Sequence, residues 1–257
     1  MNKELVEIVT WLQCNKLSLN IEKTKFMVFS PGRGNLTVTD GVSINGKKLE
    51  QVSEIKFLGV VLDKLKWTSH IQRIRNKISK SIGILCHTRK ILNKTTLVLL
   101  YNTFIQPHLI YCIEIWGSTC STYLLSLIKI QKKAVRIISS VPSKTHTKPL
   151  FIQNNILDVN KSYQYKVAIF MYKYKKGLLP NFCNNLFISN NDVHDYNTRQ
   201  RNLLHVPVTS SNILKRTIRF SGVSVWNSLC NKDIDNKCSI FTFKRSLKKC
   251  LLFNCLV

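Results

Sequence analysis

The chain has 257 residues, 44% of them hydrophobic, which is enough for one large or two small folded domains and excludes a disordered polycation. It carries 39 lysines and arginines against 13 aspartates and glutamates, a formal net charge of +26. Repulsion on this scale opposes compactness unless a polyanion neutralises it. Nucleic acid is the indicated partner, and an anionic membrane surface is the less favoured alternative.

The beginning of the chain, MNKELVEIV, lacks the basic and then apolar pattern of a secretory signal. The most apolar window, residues 97–116, is interrupted by polar residues and Pro107, which favours two buried helices over a membrane span. Nine cysteines without a Cys-x-x-Cys pair indicate free thiols in a reducing compartment. We therefore expect an intracellular protein of the cytoplasm or nucleus, not secreted and with no membrane association.

The first 63 residues predict a small antiparallel sheet with one helix. Leu5, Ile8, Val9 and Leu12 have helical spacing, and residues 26–29 form a short apolar strand. Asn45-Gly46 predicts a tight hairpin turn between residues 42–44 and 47–49. The apolar run 55–62 predicts one buried strand, in which Gly59 marks a bulge or a close backbone approach. We expect strands 24–29 and 55–62 to pair with each other or with the hairpin.

Helical periodicity begins at residue 64 and continues to about residue 140. The first predicted helix has an apolar stripe opposite a basic face. A second helix is predicted at about 95–106, a short third helix ends at Trp116, and a fourth covers about 121–139. The stripe consists of Ile71, Ile74, Ile78, Ile82 and Leu85, and the basic face of Lys66, Arg73, Lys77 and Lys80. The helix at 121–139 leaves Lys129, Lys132, Lys133 and Arg136 outside. Simple solvation is the ordinary explanation of such faces, but the scarcity of acids favours polyanion binding.

The segment after residue 140 is predicted to be mostly helical with a few short strands. A helix at about 160–176 carries Tyr163, Phe170 and Tyr174, which we interpret as core residues rather than base-stacking platforms. The apolar stretch 220–229 and a basic amphipathic helix at about 241–252 follow.

No motif for catalysis or metal binding is evident. The 13 acidic residues are scattered with no adjacent Asp-Asp pair, and Asp233 and Asp235 lie in a loop-like segment. A glycine-rich phosphate loop and the common hydrolase motifs are absent from the sequence. Cys230, Cys238, Cys250 and Cys255 lack a partner set for zinc. The sequence therefore indicates a polyanion-binding protein without an active centre.

The order of several motifs resembles the reverse transcriptases of non-LTR retrotransposons of the jockey/LINE type. The similarity covers nearly the whole chain. It is carried by WLQCNKLSLNIEKTKFMVF at 11–29, IKFLGVVLD at 55–63, Trp67, His70-Ile71, Leu100-Tyr101, Tyr111, Trp116-Gly117, IQKKAVRII at 130–138, YNTR at 196–199, VWN at 225–227, Phe243-Lys244 and Leu247.

The resemblance implies an α+β chain with a partial antiparallel palm sheet and one helix at 1–63, a helical thumb at 64–140 and a C-terminal extension at 141–257. The aspartate pair of the family's palm would fall before Met1, so we expect a truncated RNA-directed DNA polymerase that lacks the fingers, most of the palm and the catalytic aspartates. It would hold primer–template or element RNA without copying it. We expect no cofactor for the chain itself, with Mg²⁺ needed only by the full-length polymerase.

Residue roles follow from the resemblance position by position. Lys23 resembles a palm lysine near the phosphates of the incoming nucleotide, although an exposed lysine at a helix–strand junction is an equal alternative. Phe57, Leu58 and Gly59 resemble the primer grip, but Phe57 and Leu58 taken alone favour a place in the core. Arg73, Lys77 and Lys80 lie where a thumb helix follows duplex phosphates, and Lys132, Lys133 and Arg136 are the next candidates.

Two other functions are weighed against this one. The first is a non-enzymatic, basic RNA- or DNA-binding protein derived from such an element. The second, a nuclease, is weaker because the acids do not cluster.

Overall fold

A computed structural model describes residues 2–29, 41–193, 199–230 and 239–253. The chain divides into two compact units, residues 1–70 and 71–257. The predicted α+β class is confirmed, with helix predominating. The palm, thumb and extension boundaries stay predictions. Residues 196–198 of the YNTR motif, Asp233, Asp235, Cys238 and Cys255 lie outside the described residues.

Up to residue 63, the described part of the first unit contains one α-helix, a 3-10 turn and six short strands. The elements are α1 (Asn2–Cys14), the 3-10 turn Ile21–Lys23, β1 (Lys25–Phe26), β2 (Ser43–Ile44), β3 (Lys47–Lys48), β4 (Glu50–Gln51), β5 (Glu54–Phe57) and β6 (Val60–Asp63). The strands form three separate pairs: β2–β3 and β5–β6 are antiparallel, and β1–β4 is parallel. The predicted single antiparallel sheet is therefore corrected to three two-stranded ribbons within the described residues.

The pairing predicted for residues 24–29 was also wrong. Lys25 and Phe26 lie opposite Glu50 and Gln51, beyond the end of the predicted hairpin, and not opposite residues 42–49 or 55–62. An ion pair between Lys25 Nζ and Glu50 Oε2, at 2.6 Å, joins the two strands on their exposed side. This cross-strand charge pair joins residues 25 positions apart, and the periodicity of neither strand encodes it.

Asn45-Gly46 forms the predicted hairpin turn between β2 and β3. Both residues have positive φ, 49° and 74°, as a type I′ turn requires, and Ile44 pairs with Lys47 on either side. Residues 55–62 form a second hairpin of the same kind instead of the predicted continuous strand. Its two-residue loop is Leu58-Gly59, with φ 44° and 86°, flanked by the pair Phe57 and Val60.

The second unit is helical throughout its described part, apart from loops and one isolated bridge between Ser189 and Leu204. The short strands predicted beyond residue 140 are corrected to that bridge. The helices are α2 (Thr68–Thr88), which begins in the first unit, α3 (Lys94–Phe104), α4 (Gln106–Ile110), α5 (Ile113–Trp116), α6 (Ser121–Ile138), α7 (Lys148–Gln153), α8 (Val159–Lys175), α9 (Ile218–Cys230) and α10 (Ile240–Phe253). Short 3-10 turns occupy Asn181–Cys183, Asn190–Asp192 and Leu214–Arg216.

The main apolar cluster of this unit joins α8, α9 and α10. Tyr172 stacks on Phe243, with ring centroids 4.5 Å apart, and Trp226 lies 6.2 Å from the same phenylalanine. Tyr163, Phe170 and Tyr174 are half-buried and pack against this cluster, so the prediction that they belong to the core is confirmed. Burial of this many large side chains supplies the main favourable free energy of folding.

Gln131 is the polar centre of the second unit. Its side chain is 1% exposed, and its Nε2 donates to Tyr101 Oη at 2.8 Å and to the Leu157 carbonyl oxygen at 3.0 Å. Its Oε1 accepts a hydrogen bond from the Val159 backbone N–H at 3.1 Å. One amide therefore connects α6 to α3 and to the first residue of α8.

Candidate nucleic-acid interface

The second helix presents the predicted basic face. Ile71, Ile74, Ile78, Ile82 and Leu85 are all buried, as their spacing predicts. We call Arg73, Lys77 and Lys80 the basic face of α2; Lys77 and Lys80 are exposed and Arg73 is half-buried. At 1.5 Å per residue, the three cations span about 10 Å along the helix. Because the opposite stripe is buried, packing fixes the rotation of the helix and holds these cations outward.

His108 of α4 belongs to the same electrostatic environment. Burial, and secondarily the positive charge of Lys77, lower the pKa of His108 below its usual value. The imidazole is therefore neutral near pH 7 and adds a hydrogen-bonding group, not a further charge, next to Lys77. Sequence reasoning missed His108, since nothing in its local sequence places α4 near Lys77.

The basic residues of α6 are not equivalent. Lys132 and Lys133 are exposed, in keeping with a binding role. Arg136 is half-buried, and its Nε donates a hydrogen bond to the Thr145 carbonyl oxygen at 2.9 Å. This bond ties the loop after α6 back to the helix, so part of the function of Arg136 is structural.

The tip of the second hairpin carries exposed apolar side chains. Phe57 is 61% exposed and Leu58 74% exposed, which corrects the interpretation of these two residues as core. The physical reason is the turn at Leu58-Gly59, which places both side chains at the end of a two-stranded ribbon. We call residues 57–59 the hairpin tip.

Lys23 ends the 3-10 turn Ile21–Lys23 and is exposed. Its backbone N–H donates to the Asn20 side chain at 3.1 Å, which caps the turn and leaves the lysine at a helix–strand junction as predicted. The neighbouring Lys25 forms an ion pair with Glu50, so the two lysines have different surroundings.

Several acidic side chains have structural roles. The carboxylate of Asp63 accepts hydrogen bonds from the Trp67 backbone N–H at 2.6 Å, the Thr68 hydroxyl at 3.0 Å and the Ser69 backbone N–H at 3.4 Å, and so caps the start of α2. Asp158 caps α8 and Asp192 completes a capping box. Within the described ranges, acids, histidines and cysteines form no group of three suited to a metal ion.

The predicted residues thus lie in separate places in the structure. Arg73, Lys77 and Lys80 share one face of α2, while Lys132 and Lys133 lie on α6. The hairpin tip and Lys23 belong to the first unit. Among the helices that the structure describes, none has the length and apolar character needed to cross a membrane.

The chain is similar to reverse transcriptases of mobile elements. The RNA-directed DNA polymerase of the mobile element jockey from Drosophila funebris is 33% identical over 115 residues, 43% of this chain and 12% of that protein. The jockey polymerase of Drosophila melanogaster is 27% identical over 145 residues, 54% of this chain and 15% of that protein. The probable RNA-directed DNA polymerase from transposon X-element of Drosophila melanogaster is 26% identical over 134 residues, 50% of this chain and 14% of that protein.

The chain therefore spans 12–15% of the length of these curated relatives. No protein-family model matches it, and no solved structure is similar to it. The predicted resemblance to non-LTR retrotransposon reverse transcriptases is confirmed for about half of the chain.

Proposed function

We propose that the chain is a part of a mobile-element reverse transcriptase that holds the duplex of primer and template through its phosphates. The observation that carries this proposal is the basic face of α2, held outward by a buried isoleucine stripe on the opposite side. Lysine and arginine contacts to phosphate position a duplex without reading its sequence. A polymerase that copies any template must bind its duplex regardless of the base sequence.

The hairpin tip supports the same function. A tight turn whose side chains project from a narrow ribbon suits close contact with the sugar–phosphate backbone of a primer, and Gly59 adds no side chain to obstruct it. Exposed Lys23 is the candidate contact to the phosphates of an incoming nucleotide, where a cation offsets developing negative charge. Lys132 and Lys133 form a second phosphate-binding site.

A non-enzymatic nucleic-acid-binding role is the second candidate. It is favoured by the structural use of Asp63, Asp158 and Asp192, whose carboxylates cap helix starts instead of converging on one point. Both candidates share the phosphate contacts and differ in whether the chain contributes to catalysis. An intracellular location is part of either proposal.

Reversing the charge of the basic face of α2 should change the salt dependence of duplex binding. If about four to six phosphates are neutralised, log K falls with log salt concentration at a slope of roughly −4 to −5. The triple variant Arg73→Glu, Lys77→Glu, Lys80→Glu should flatten this slope by about two to three. Fluorescence anisotropy with a 20-base-pair duplex over a range of salt concentrations measures both slopes.

The matched control reverses three exposed lysines elsewhere, Lys47, Lys48 and Lys94. It changes the net charge of the chain by the same amount, so an effect of overall charge alone would flatten both slopes equally. If the Arg73→Glu, Lys77→Glu, Lys80→Glu variant and the wild type have equal slopes of log K against log salt concentration, the duplex binds elsewhere. The helix α6 is then the next site to test.

We expect no primer extension by the chain alone. Nucleotidyl transfer requires two metal ions that clamp the attacking and leaving oxygens, and those ions require converging carboxylates. The assay uses a primed RNA template, all four nucleotides, and Mg²⁺ or Mn²⁺ in separate reactions, with a retroviral reverse transcriptase as the positive control. Extension above the buffer blank that disappears when one acid of this chain is mutated would show this expectation to be wrong.

A further inference from the structure

A cavity of about 410 Å³ lies beside α6 and α7, away from the basic face of α2. Its floor is apolar and includes Ile128 of α6, Phe151 and Ile152 of α7, and Leu252 of α10, and the partly exposed Leu125 of α6 lies at its opening. Its volume falls within the range of sites that bind small molecules, about 300–1,000 Å³. Lys132, which also belongs to the proposed second phosphate-binding site, is one of its lining residues, and the functions proposed above give no role to its apolar interior.

The rim of the cavity is basic. Lys132, His146, Lys148 and Lys161 line it together with a single acid, Asp158. The Asp158 carboxylate accepts a hydrogen bond from the Lys161 backbone N–H at 2.9 Å and is directed at the start of α8. Lys132 and Lys148 are exposed residues on two different helices that line the same cavity. The opening therefore attracts anions while the floor favours apolar surface.

We propose that this cavity binds one unpaired nucleotide of a single-stranded nucleic acid. The base lies against the apolar floor, and the adjoining phosphates contact Lys132 and Lys148. This inference rests on the proposed nucleic-acid function and adds to it a single-stranded site distinct from the duplex-binding face.

The nucleotide fits better than the competing ligand, an acidic peptide with an apolar side chain. Every nucleotide carries an apolar-faced ring and a negative phosphodiester at a fixed short distance, so any position along a single strand presents both groups to the cavity. A peptide presents them together only in particular sequences. Contacts between a base and apolar or aromatic side chains also tolerate any base, in keeping with the lack of a base-reading motif.

Filling the mouth of the cavity tests the proposal. Leu125 is 48% exposed on α6, so Leu125→Trp occupies the opening without disturbing the core. We expect it to weaken binding of a ten-nucleotide single strand about tenfold and to leave blunt duplex binding within twofold. Leu99→Trp is the matched control, because Leu99 is an exposed helical leucine, 59% accessible, outside the cavity.

Two further measurements keep the test independent of folding effects. Lys148→Glu, compared with Lys144→Glu in the neighbouring loop, should reduce single-strand affinity about tenfold with the same selectivity. A single strand that contains 5-iodouridine should cross-link under ultraviolet light to residues 125–132 or 146–152, as identified by mass spectrometry of the digested protein.

The outcomes separate this inference from the proposed function. Cross-links outside the cavity, or unchanged single-strand affinity in both variants while duplex binding persists, would overturn the inference alone. Single-strand binding that depends on Leu125 without any duplex binding would support it and overturn the duplex proposal. If Leu125→Trp weakens only an acidic, phenylalanine-containing peptide, the cavity is a peptide site and the inference is wrong.

Discussion

Replacing Gln131 with leucine is expected to destabilise the second unit by about 2 to 5 kcal/mol, because three buried hydrogen bonds are lost and the Leu157 carbonyl keeps only the longer one from the Ser162 hydroxyl, at 3.4 Å. The Val159 N–H donates to the Gln131 Oε1, and the Leu157 carbonyl accepts from its Nε2. Leucine has a similar volume, so the loss arises from hydrogen bonding rather than from an empty cavity. The Tyr101 hydroxyl, completely buried, loses a donor as well.

Urea denaturation followed by circular dichroism measures this free energy of unfolding. Gln153→Leu is the matched control, because Gln153 is exposed at the end of α7, and we expect a change below about 0.5 kcal/mol there. If Gln131→Leu costs no more than Gln153→Leu, the three hydrogen bonds do not support the packing of α6, α3 and α8 as described.

Substituting alanine for Gly117 is expected to cost about 1 to 3 kcal/mol through overpacking. A Cβ at this position would lie 2.5 Å from Cδ2 of Tyr163, 2.6 Å from the Ile113 carbonyl oxygen and 2.9 Å from Cγ1 of Ile113. A backbone carbonyl cannot move aside as the end of a flexible side chain can. The Tyr163 ring is held in turn by its packing against the cluster of α8, α9 and α10.

Gly83 provides the opposite case within the same chain. It lies inside α2, and a Cβ there would meet nothing within 4 Å. Gly83→Ala should therefore stabilise the protein by about 0.5 to 1 kcal/mol, because alanine loses less backbone entropy in a helix. Thermal unfolding of both variants shows whether each change in stability has the expected sign. Destabilisation by Gly83→Ala, or no destabilisation by Gly117→Ala, would contradict the described packing.

Helices with a single apolar stripe were predictable from the sequence. The spacing of Ile71, Ile74 and Ile78 requires one buried face if the helix packs at all, and the outward position of Lys77 and Lys80 follows from it. The turn at Asn45-Gly46 was predictable for a similar reason, since both residues tolerate positive φ. In these cases local chemistry alone determines the structure.

The run at residues 55–62 could not be predicted from its own pattern. Eight consecutive residues with one glycine are typical of a buried strand, and a leucine gives no local signal for positive φ. The glycine was interpreted as a bulge or a close backbone approach within one strand, and the structure has a two-residue turn instead. The pairing of Phe57 with Val60 is imposed by the ribbon as a whole.

Contacts that join distant segments were likewise beyond the sequence. Gln131 finds its partners Tyr101 and Leu157 at positions 30 and 26 residues away. Lys132 and Lys148 line one cavity because α7 packs beside α6, and nothing in the intervening loop encodes that packing.

The backbone conformation of Leu58 has a cost in folding free energy. A leucine in the left-handed region is less stable by roughly 1–2 kcal/mol, and with its side chain 74% exposed, burial recovers little of this. Asparagine occupies the equivalent place in the first hairpin at no such penalty. Selection for stability alone would favour asparagine at both turns. The exposed leucine at the second turn is therefore a residue that folding free energy alone does not explain.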